Sequence, residues 1–459
     1  MNFGAVIMCA GEGKRMKSAL PKAMAEVLFT PMSDWVLSAV KKAGAQNVCI
    51  VTGYNHTVLE EYYKDKVQFA YQAERLGTGH AVMQASEYIR QYEGGYILVA
   101  TGDNPFVSDK TICAALSMHE NDGNAVTVIT AKVPDPTGYG RIIRRKDGGV
   151  AKIVEQKECN AEELATDEVN SSWYIFSADL LLDTLVKIKN NNLAGEYYLT
   201  DAIEILLKDG KRVGAYTVKD SDEILGANDR LQLLQLNDIA RKKTLDKLME
   251  NGVAFSDITG VTISPDAVIG RDTVIHKGTI IKGASVIGSG CEIGPDSVID
   301  NSTIGDDAHI NQSVVEKSTV GSGVTMGPFA HLRPNCSVGI KCHVGNFVEL
   351  KNSKVGDGTK VAHLTYVGDT DCGGGVNFGC GCVTANYDGK HKFRTVIGDG
   401  AFIGCNTNLI APVTVEDNAV TAAGSTITDN VPRNALAIAR ARQINKNDWV
   451  SKRKEKTND

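Results

Sequence analysis

The chain has 459 residues, a formal net charge of -6 and 23% charged residues, a balance that gives no reason to expect a nucleic-acid partner or an anionic membrane surface. No apolar run approaches the roughly 20 residues of a membrane span, and the first residues lack the pattern of a secretory signal. The eleven scattered cysteines are typical of reduced thiols in a cytoplasmic protein.

The first half of the chain alternates strand and helix patterns. Strands are predicted over 3–10, 48–52, 96–101 and 125–133, and helices over 33–43, 78–89 and 108–119. This alternation predicts a Rossmann-like α/β domain with a mostly parallel sheet and helices on both faces. Ligands of such a sheet bind beyond the carboxyl ends of its strands.

A glycine-rich segment follows the first strand and contains Gly11, Gly13 and Arg15, with Lys22 further on. Backbone N–H groups of a turn that enters a helix can bind phosphate, and nearby cations neutralise its charge. The segment is not a dinucleotide fingerprint, because Met16 stands where the third glycine is required, and it also departs from the Walker A pattern. The glycines alone are therefore a weak signal.

Asp103 directly follows the predicted strand 96–101. A carboxylate at the carboxyl end of a strand can hold Mg²⁺ against substrate phosphates. The alternative is that Asp103 only caps the next turn.

A long amphipathic connector helix is predicted over 228–250. Its apolar residues are Leu231, Leu234, Ile239, Leu245 and Leu248. We therefore predict a first domain over 1–228, a helical linker over 229–251, and a second domain over 252–459 that includes the C-terminal tail. The basic run in this tail, which comprises Lys452, Arg453, Lys454 and Lys456, is interpreted as a solvated terminus.

The second half carries an isoleucine at every sixth residue over seven repeats. These isoleucines are Ile263, Ile269, Ile275, Ile281, Ile287, Ile293 and Ile299. A period of six is typical of a hexapeptide parallel β-helix, in which neighbouring coils bury one another's aliphatic side chains. Beyond Ile310 we expect the period to be interrupted before it resumes at Val338, and again between Val367 and Ile397.

Polar and charged side chains gather in the interrupted region. They are Arg333, Glu349, Lys351, His363, Tyr366, Asn377, Asn386 and Tyr387. A solenoid that serves only as a spacer has little use for such a cluster, and 386–395 is predicted to be a projecting loop of the kind that carries function. A single histidine is more often structural, so this pattern by itself leaves both interpretations open.

The motif Gly-x-Gly-x-Arg-Met followed by Pro-Lys resembles the signature of the sugar-phosphate nucleotidyltransferases, although Lys14 stands where these enzymes usually have threonine. With the β-helix added, most of the chain resembles the bacterial bifunctional N-acetylglucosamine-1-phosphate uridylyltransferases / glucosamine-1-phosphate N-acetyltransferases, which make UDP-N-acetylglucosamine. The resemblance implies a left-handed β-helix and a homotrimer with acetyl-CoA held between adjacent rods.

For the first domain, the resemblance implies that UMP is transferred from UTP to N-acetylglucosamine 1-phosphate. Arg15 and Lys22 are the implied catalytic cations, and Asp103 and Asn228 the implied ligands of Mg²⁺. The residues implied to bind UTP and the product are Ala10, Gly11, Gln72, Gly77, Thr78, Gly140, Glu155, Asn170 and Asn228.

For the β-helix, the resemblance implies that His363 removes a proton from the amine of glucosamine 1-phosphate as the amine attacks acetyl-CoA. Glu349 is implied to orient His363. The residues implied to bind glucosamine 1-phosphate are Arg333, Lys351, Tyr366 and Asn377. Those implied to bind acetyl-CoA are Cys380, Asn386, Tyr387, Cys405, Ala423 and Arg440.

Two other functions remain open at this point. In one, the β-helix only oligomerises or regulates a single-activity sugar-phosphate nucleotidyltransferase, and the context of His363 and Lys351 counts against it. In the other, both domains form a non-catalytic scaffold. The presence of Arg15, Lys22 and Asp103 counts against this second function.

Overall fold

The protein is described by a computed structural model that covers residues 2–455. It forms two compact units that divide between Lys242 and Lys243. The predicted linker 229–251 corresponds to one helix that this division cuts between residues 242 and 243. Lys456 of the basic run lies outside the described residues. Within residues 2–455, no helix combines the length and apolar character that a bilayer crossing requires.

The first unit contains eleven strands and nine α-helices among the described residues, counting the helix that continues into the second unit. The strands are β1 (Phe3–Met8), β2 (Glu26–Val27), β3 (Thr30–Pro31), β4 (Val48–Thr52), β5 (Gln68–Tyr71), β6 (Tyr96–Thr101), β7 (Val126–Lys132), β8 (Arg141–Arg144), β9 (Val150–Val154), β10 (Glu168–Ser177) and β11 (Val213–Thr217). The helices are α1 (Met32–Lys42), α2 (His56–Tyr62), α3 (Thr78–Gln84), α4 (Ser86–Arg90), α5 (Asp109–Asn121), α6 (Ala161–Leu164), α7 (Ala178–Leu185), α8 (Asp201–Lys208) and α9 (Arg230–Glu250).

The main sheet of this unit has the strand order β11-β7-β10-β6-β1-β4-β5. Strand β10 runs antiparallel to both of its neighbours, whereas the other neighbours along this path are parallel. Along β1, Val6 is buried in one apolar core while Ala5 and Ile7 are buried in another. Because side chains alternate across a strand, both faces of the sheet are covered, which confirms the predicted α/β architecture.

The predicted elements agree with the structure to within two residues at their ends, with one exception. The predicted helix 78–89 is two helices, α3 and α4, separated at Ala85. The apolar stripe predicted for the connector helix is also wrong in part, because Leu231 and Leu234 are 75% and 60% exposed. The buried residues of its first half are instead Leu236 and Ala240.

The second unit is a stack of short parallel strands in three sheets, which we name faces A, B and C. Face A comprises Ala254–Phe255, Val274–Ile275, Glu292–Ile293, His309–Ile310, Thr325–Met326, His343–Asn346, Lys360–His363, Asn377–Phe378, Phe402–Ile403, Val420–Thr421 and Leu436–Ala437. Face B comprises Thr262–Ile263, Ile280–Lys282, Val298–Asp300, Val314–Glu316, His331–Leu332, Glu349–Lys351, Tyr366–Gly368, Val383–Ala385, Asn408–Ile410 and Thr426–Ile427. Face C comprises Val268–Ile269, Val286–Ile287, Thr303–Ile304, Thr319–Val320, Ser337–Val338, Lys354–Val355, Thr370–Cys372, Thr395–Ile397 and Val413–Val415. A last helix, α10 (Trp449–Glu455), follows the coils.

The isoleucine ladder forms the interior of this stack. Ile263 pairs in register with Ile281, and Ile281 with Ile299, so three six-residue sides complete one coil. All seven isoleucines are buried. Each coil therefore presents its aliphatic side chains to those of the next coil, which is the parallel β-helix predicted from the period.

The predicted interruptions of the period are not interruptions of the coil. Some sides have five residues instead of six, and the side between Thr384 and Ile397 carries an inserted loop, where one was predicted over 386–395. The inward positions within the predicted gaps are held by other side chains. These buried inward residues are Val315, Val320, Met326, Leu332, Cys372, Phe378 and Thr384. A five-residue side shifts the positions of the following inward residues by one, but the stack of coils continues. A search for a strict six-residue repeat therefore misses coils that are present in the structure.

Two candidate active sites

The first candidate site is a cleft of about 300 Å³ at the carboxyl ends of β1 and β6. Seven of the residues predicted for nucleotide and metal binding line it. They are Ala10, Gly11, Lys22, Gln72, Gly77, Thr78 and Asp103. The position follows from the sheet, because the first and sixth strands are parallel neighbours and end at the same edge.

Lys22 joins the two predicted metal ligands. Its ammonium group donates to the carboxylate of Asp103 and, at 2.7 Å, to the amide oxygen of Asn228. The two oxygen atoms therefore already converge on one cation. Within residues 2–455, no three His, Cys, Asp or Glu side chains are grouped to hold a metal. The pair fits Mg²⁺, which binds one or two protein oxygens and completes its shell with water and substrate phosphates.

Two glycines shape the cleft. Gly13 has a φ of 63°, and a Cβ atom there would lie 2.8 Å from Cβ of Lys22. Gly77 has a φ of 107°, and a Cβ atom there would lie 2.6 Å from the carbonyl oxygen of Tyr197. Both positions require a conformation that glycine adopts without steric cost. Gln72 is buried and donates to the carbonyl oxygen of Gly77 at 3.1 Å, so its amide is fixed in the wall of the cleft.

The residues predicted to bind the amino sugar form a second group. A Cβ atom at Gly140 would have the carboxylate of Glu155 at 3.5 Å and the side chain of Asn170 at 3.6 Å. Burial, together with the neighbouring carboxylates of Glu158, Asp201 and Glu196, raises the pKa of Glu155. Glu196 itself lines the cleft, so this group adjoins the nucleotide end of the site.

Arg15 does not line the cleft. It lies exposed on the short helical turn Lys14–Met16. Three residues that the motifs did not single out do belong to this region. Arg75 and Glu196 line the cleft, and Arg75 forms an ion pair with Glu12 at 3.1 Å. The ion pair between Arg75 and Glu12 joins two loops that are far apart in sequence, so no local sequence pattern could have indicated it.

The second candidate site runs along the corner between faces A and B. Residues predicted for catalysis and for acetyl-CoA follow one another there, one per coil: His363, Cys380, Cys405 and Ala423. The backbone confirms this stacking, since Gly381 N donates to His363 O at 3.4 Å and Asn406 N to Cys380 O at 2.7 Å. At about 4.8 Å per coil, the column is roughly 14 Å long. Cys405 and Ala423 are exposed along it.

His363 has a different neighbour from the one predicted. Its Nδ1 atom lies 3.1 Å from the amide oxygen of Asn346, whereas the carboxylate of Glu349 accepts from Arg333 at 3.0 Å. The reason is the register: Asn346 and His363 are paired on face A, while Glu349 lies beyond the corner on face B and is paired with Tyr366. In this structure the side-chain contact to Nδ1 of His363 therefore comes from Asn346.

The predicted phosphate-binding cations lie together on face B. Leu332 pairs with Leu350, which places the neighbouring residues Arg333 and Lys351 one coil apart. Lys392, which the motifs did not single out, lies against Lys351, and this contact with a second ammonium group lowers the pKa of Lys392.

The remaining predicted residues are spread over faces A and B, the projecting loop and the far end of the corner. Tyr366 is half-buried on face B, and Asn377 is half-buried on face A beside Lys360. A loop over 386–394 projects from the coil and begins at Asn386, which is buried, and Tyr387, which is 61% exposed. Arg440 reaches the far end of the corner, with its Cδ atom 3.8 Å from a Cβ position at Gly424.

Comparisons with known proteins agree with both units. A family model described as nucleotidyl transferase matches residues 4–251, and one described as bacterial transferase hexapeptide (six repeats) matches residues 394–429. The chain is thus a transferase that joins a nucleotidyltransferase domain to a left-handed β-helix of hexapeptide repeats.

Relatives match over nearly the full length. A protein described as bifunctional protein GlmU from Acetivibrio thermocellus is 49% identical over 98% of this chain and 97% of its own. Proteins of the same description from Clostridium tetani and Clostridium acetobutylicum are 46% and 47% identical, each over 98% of this chain and over 99% and 98% of their own. A solved UDP-glucose pyrophosphorylase complexed with UDP-glucose is 23% identical, covers 53% of this chain and 100% of its own, and has a TM-score of 0.45, too weak a likeness for an argument.

The chain belongs to the family of the bifunctional protein GlmU. It is an enzyme with uridylyltransferase and acetyltransferase activities that makes UDP-N-acetylglucosamine, a precursor of the cell wall. The two alternatives, a single-activity nucleotidyltransferase and a non-catalytic scaffold, are thereby set aside.

Proposed function

We propose that the two reactions run in sequence on separate sites of one chain. The β-helix, within residues 252–459, acetylates glucosamine 1-phosphate, and the α/β domain, within residues 1–228, then transfers UMP from UTP to the product and releases pyrophosphate. The observation that carries this proposal is that each unit holds its own cluster of suitable side chains. One cluster surrounds Lys22 and Asp103, and the other surrounds His363 and Lys351.

For acetyl transfer, the imidazole of His363 takes a proton from the sugar amine as the amine attacks the thioester carbonyl and the coenzyme thiolate leaves. Asn346 accepts a hydrogen bond from Nδ1–H of His363 (3.1 Å), which leaves Nε2 free to act as the base. Arg333 and Lys351 hold the phosphate, and Glu349 keeps Arg333 in place. The exposed corner from Cys380 to Arg440 receives the coenzyme.

For uridylyl transfer, the sugar phosphate attacks the α-phosphorus in line, so the site chiefly has to position the reactants and neutralise charge. Asp103 and Asn228 hold Mg²⁺, which supplies positive charge to the phosphates of UTP. Lys22 adds a cation from the protein inside the cleft, and Gln72 presents its amide to the base. Arg15, which lies outside the cleft in this structure, is proposed to add a second cation when UTP is bound. Gly140, Glu155 and Asn170 line the sugar end.

We also propose a homotrimer in which acetyl-CoA lies between adjacent β-helices. Phe329, Phe347 and Leu364 support it, because they are 54%, 54% and 59% exposed on three successive coils beside His363. All three have left-handed backbone conformations, which bulky residues rarely adopt, and the two phenyl rings stack at 5.5 Å. Apolar side chains held outward in this way are suited to burial against a second copy of the chain.

A cytoplasmic location completes the proposal. All eleven cysteines carry free thiols, which suits a reducing compartment, and UTP and acetyl-CoA are the proposed co-substrates.

The proposed division of labour is tested by two assays on one sample of the full chain. We expect thiol release from acetyl-CoA with glucosamine 1-phosphate, and pyrophosphate release from UTP with N-acetylglucosamine 1-phosphate. Removing Mg²⁺ with EDTA is expected to slow pyrophosphate release at least ~10-fold and to leave thiol release unchanged, because metal oxygen ligands are proposed only in the first site. Equal slowing of both reactions would contradict the assignment of the metal.

The contact between Lys22 and the metal ligands gives a second test. In the free enzyme the ammonium group occupies the point on which Asp103 and Asn228 converge, so it competes with the metal for the same oxygens. Lys22→Met is therefore expected to bind Mn²⁺ at least ~3-fold more tightly without nucleotide, as measured by electron paramagnetic resonance. Lys14→Met, at the exposed neighbouring turn, is the control and should leave Mn²⁺ binding unchanged. Unchanged or weaker binding in Lys22→Met would refute the competition.

A further inference from the structure

Asp369 is a buried carboxylate at the centre of the second site that no motif indicated. Its side chain is 6% exposed and it lies between the strands Tyr366–Gly368 and Thr370–Cys372, with a φ of 47°. A buried charge is costly unless it is paired and hydrogen-bonded. Its partners therefore indicate what the residue does.

Three side chains donate to this carboxylate. Asn352 donates to Oδ1 at 2.5 Å, Asn386 donates to Oδ2, and the ammonium group of Lys351 lies 3.4 Å from Oδ2. Burial alone would raise the pKa of Asp369, but the hydrogen bonds from Asn352 and Asn386 and the charge of Lys351 together hold it below its ordinary value. The carboxylate is thus ionised where it contacts both a proposed phosphate ligand and a proposed coenzyme ligand.

The backbone of Asp369 also holds the projecting loop. Thr395 N, just after the loop, donates to Asp369 O at 3.1 Å, and Phe393 N donates to Asn386 O at 2.9 Å. The first residue of the loop, Asn386, is bound by the Asp369 side chain. Both ends of the loop that carries Tyr387 and Lys392 therefore meet at residue 369.

The corner itself does not require an acid. The equivalent left-handed corner of the five preceding coils is occupied by Gly283, Asn301, Lys317, Asn335 and Asn352. Asn301, Lys317 and Asn335 are exposed, Asn352 is half-buried and Asp369 is buried. Asparagine tolerates this conformation at least as well as aspartate. An acidic residue thus occurs only at the corner that the loop covers, among these six coils. The need for a left-handed backbone conformation does not explain this choice, because asparagine would meet it equally well.

We propose that Asp369 is a positioning residue for acetyl transfer: its carboxylate holds the ammonium group of Lys351 for the sugar phosphate and the amide of Asn386 for the coenzyme. The inference rests on the proposed roles of Lys351 and Asn386. An amide in place of the carboxylate can accept at only one of its two atoms. The NH₂ group of the asparagine would face at least one of the three donors, and that donor would lose its hydrogen-bond acceptor and the position that this acceptor fixes.

The test compares Asp369→Asn with Asp371→Asn in the full chain. Asp371 is a matched control, because it also ties the loop to the coil, through a two-point ion pair with Arg394 at 2.8 and 2.7 Å. We expect Asp369→Asn to raise KM for glucosamine 1-phosphate or acetyl-CoA at least ~10-fold, and Asp371→Asn to raise either by less than ~3-fold. Pyrophosphate release is expected to be unchanged in both. Equal effects of the two variants, or unchanged KM values in Asp369→Asn, would overturn the proposal.

A second measurement does not depend on activity. Lys351 is 18% exposed and paired, so an amine-reactive ester should label it slowly in the wild type and at least ~5-fold faster in Asp369→Asn. Lys354, exposed on the next strand, is the internal reference for the reactivity of the reagent. Unchanged labelling of Lys351 would overturn the proposal even if Asp369→Asn lost activity. A wild-type chain without acetyl transfer would instead refute the proposed function, so the two failures are distinguishable.

Discussion

Substituting His363 by alanine is expected to lower kcat for acetyl transfer at least ~100-fold, since a general base in the transition state contributes 10²- to 10⁴-fold. The side chain is exposed at the end of a strand, so its removal leaves no cavity in the core. Thiol release from acetyl-CoA at saturating glucosamine 1-phosphate measures the effect. Pyrophosphate release by the same preparation should not change.

The control for this variant is His309→Ala. His309 is also exposed on face A, where it pairs with Glu292 at 3.1 Å rather than with a residue of the second site. It should retain both activities. If His363→Ala kept acetyl transfer within ~3-fold of the wild type, the imidazole would not be the base, and the contact with Asn346 would have only a structural meaning.

Substituting Asp103 by asparagine is expected to lower pyrophosphate release at least ~100-fold, with acetyl transfer unchanged. The carboxylate holds Lys22 and is one of the two oxygens proposed for Mg²⁺, and losing one preorganised electrostatic contact at a transition state typically costs 10²- to 10³-fold. The measurement is the initial rate of pyrophosphate release at saturating UTP and at the lowest Mg²⁺ concentration that saturates the wild type.

Asp183→Asn, on the exposed side of helix α7, makes the same change of charge away from the cleft and should leave the rate unaltered. A normal rate in Asp103→Asn would show that Asp103 only caps the turn after β6. Restoration of its rate by raised Mg²⁺ would instead support the metal role, because weakened binding can be compensated by concentration.

His363→Ala is expected to lose acetyl transfer alone and Asp103→Asn to lose pyrophosphate release alone, so the two variants together show that the sites are separate. The sequence motifs placed His363 and Asp103 in different halves of the chain, and the structure brings each to a cluster within its own unit. The motif residues of the first half were predictable because the carboxyl ends of neighbouring parallel strands meet at one edge of the sheet. For Gly11, Lys22 and Asp103, the strand pattern was therefore sufficient to predict that they lie together.

The position of Lys22 between the two proposed metal ligands was not predictable in the same way. Asn228 is about two hundred residues away in sequence, and nothing in its local pattern indicates which cation it meets. Likewise, Arg15 belongs to the best-matching part of the motif, yet it lies outside the cleft in this structure. A motif specifies which residue types a site requires, whereas side-chain direction depends on how the turn packs.

The amino-acid sequence by itself determined the β-helix, because a side chain repeated at six residues can be buried only if three short sides make one coil and the coils stack. It also determined the α/β sheet, whose strands are apolar on both faces. Only the tertiary structure decided which residues contact one another in the second site. The six-residue period does not indicate which residues of neighbouring coils are paired. A few five-residue sides shift the register, which decides that Asn346 lies beside His363, whereas the projecting loop brings Asn386 against Asp369. Such contacts join residues about 17 positions apart across stacked strands, where no local preference acts.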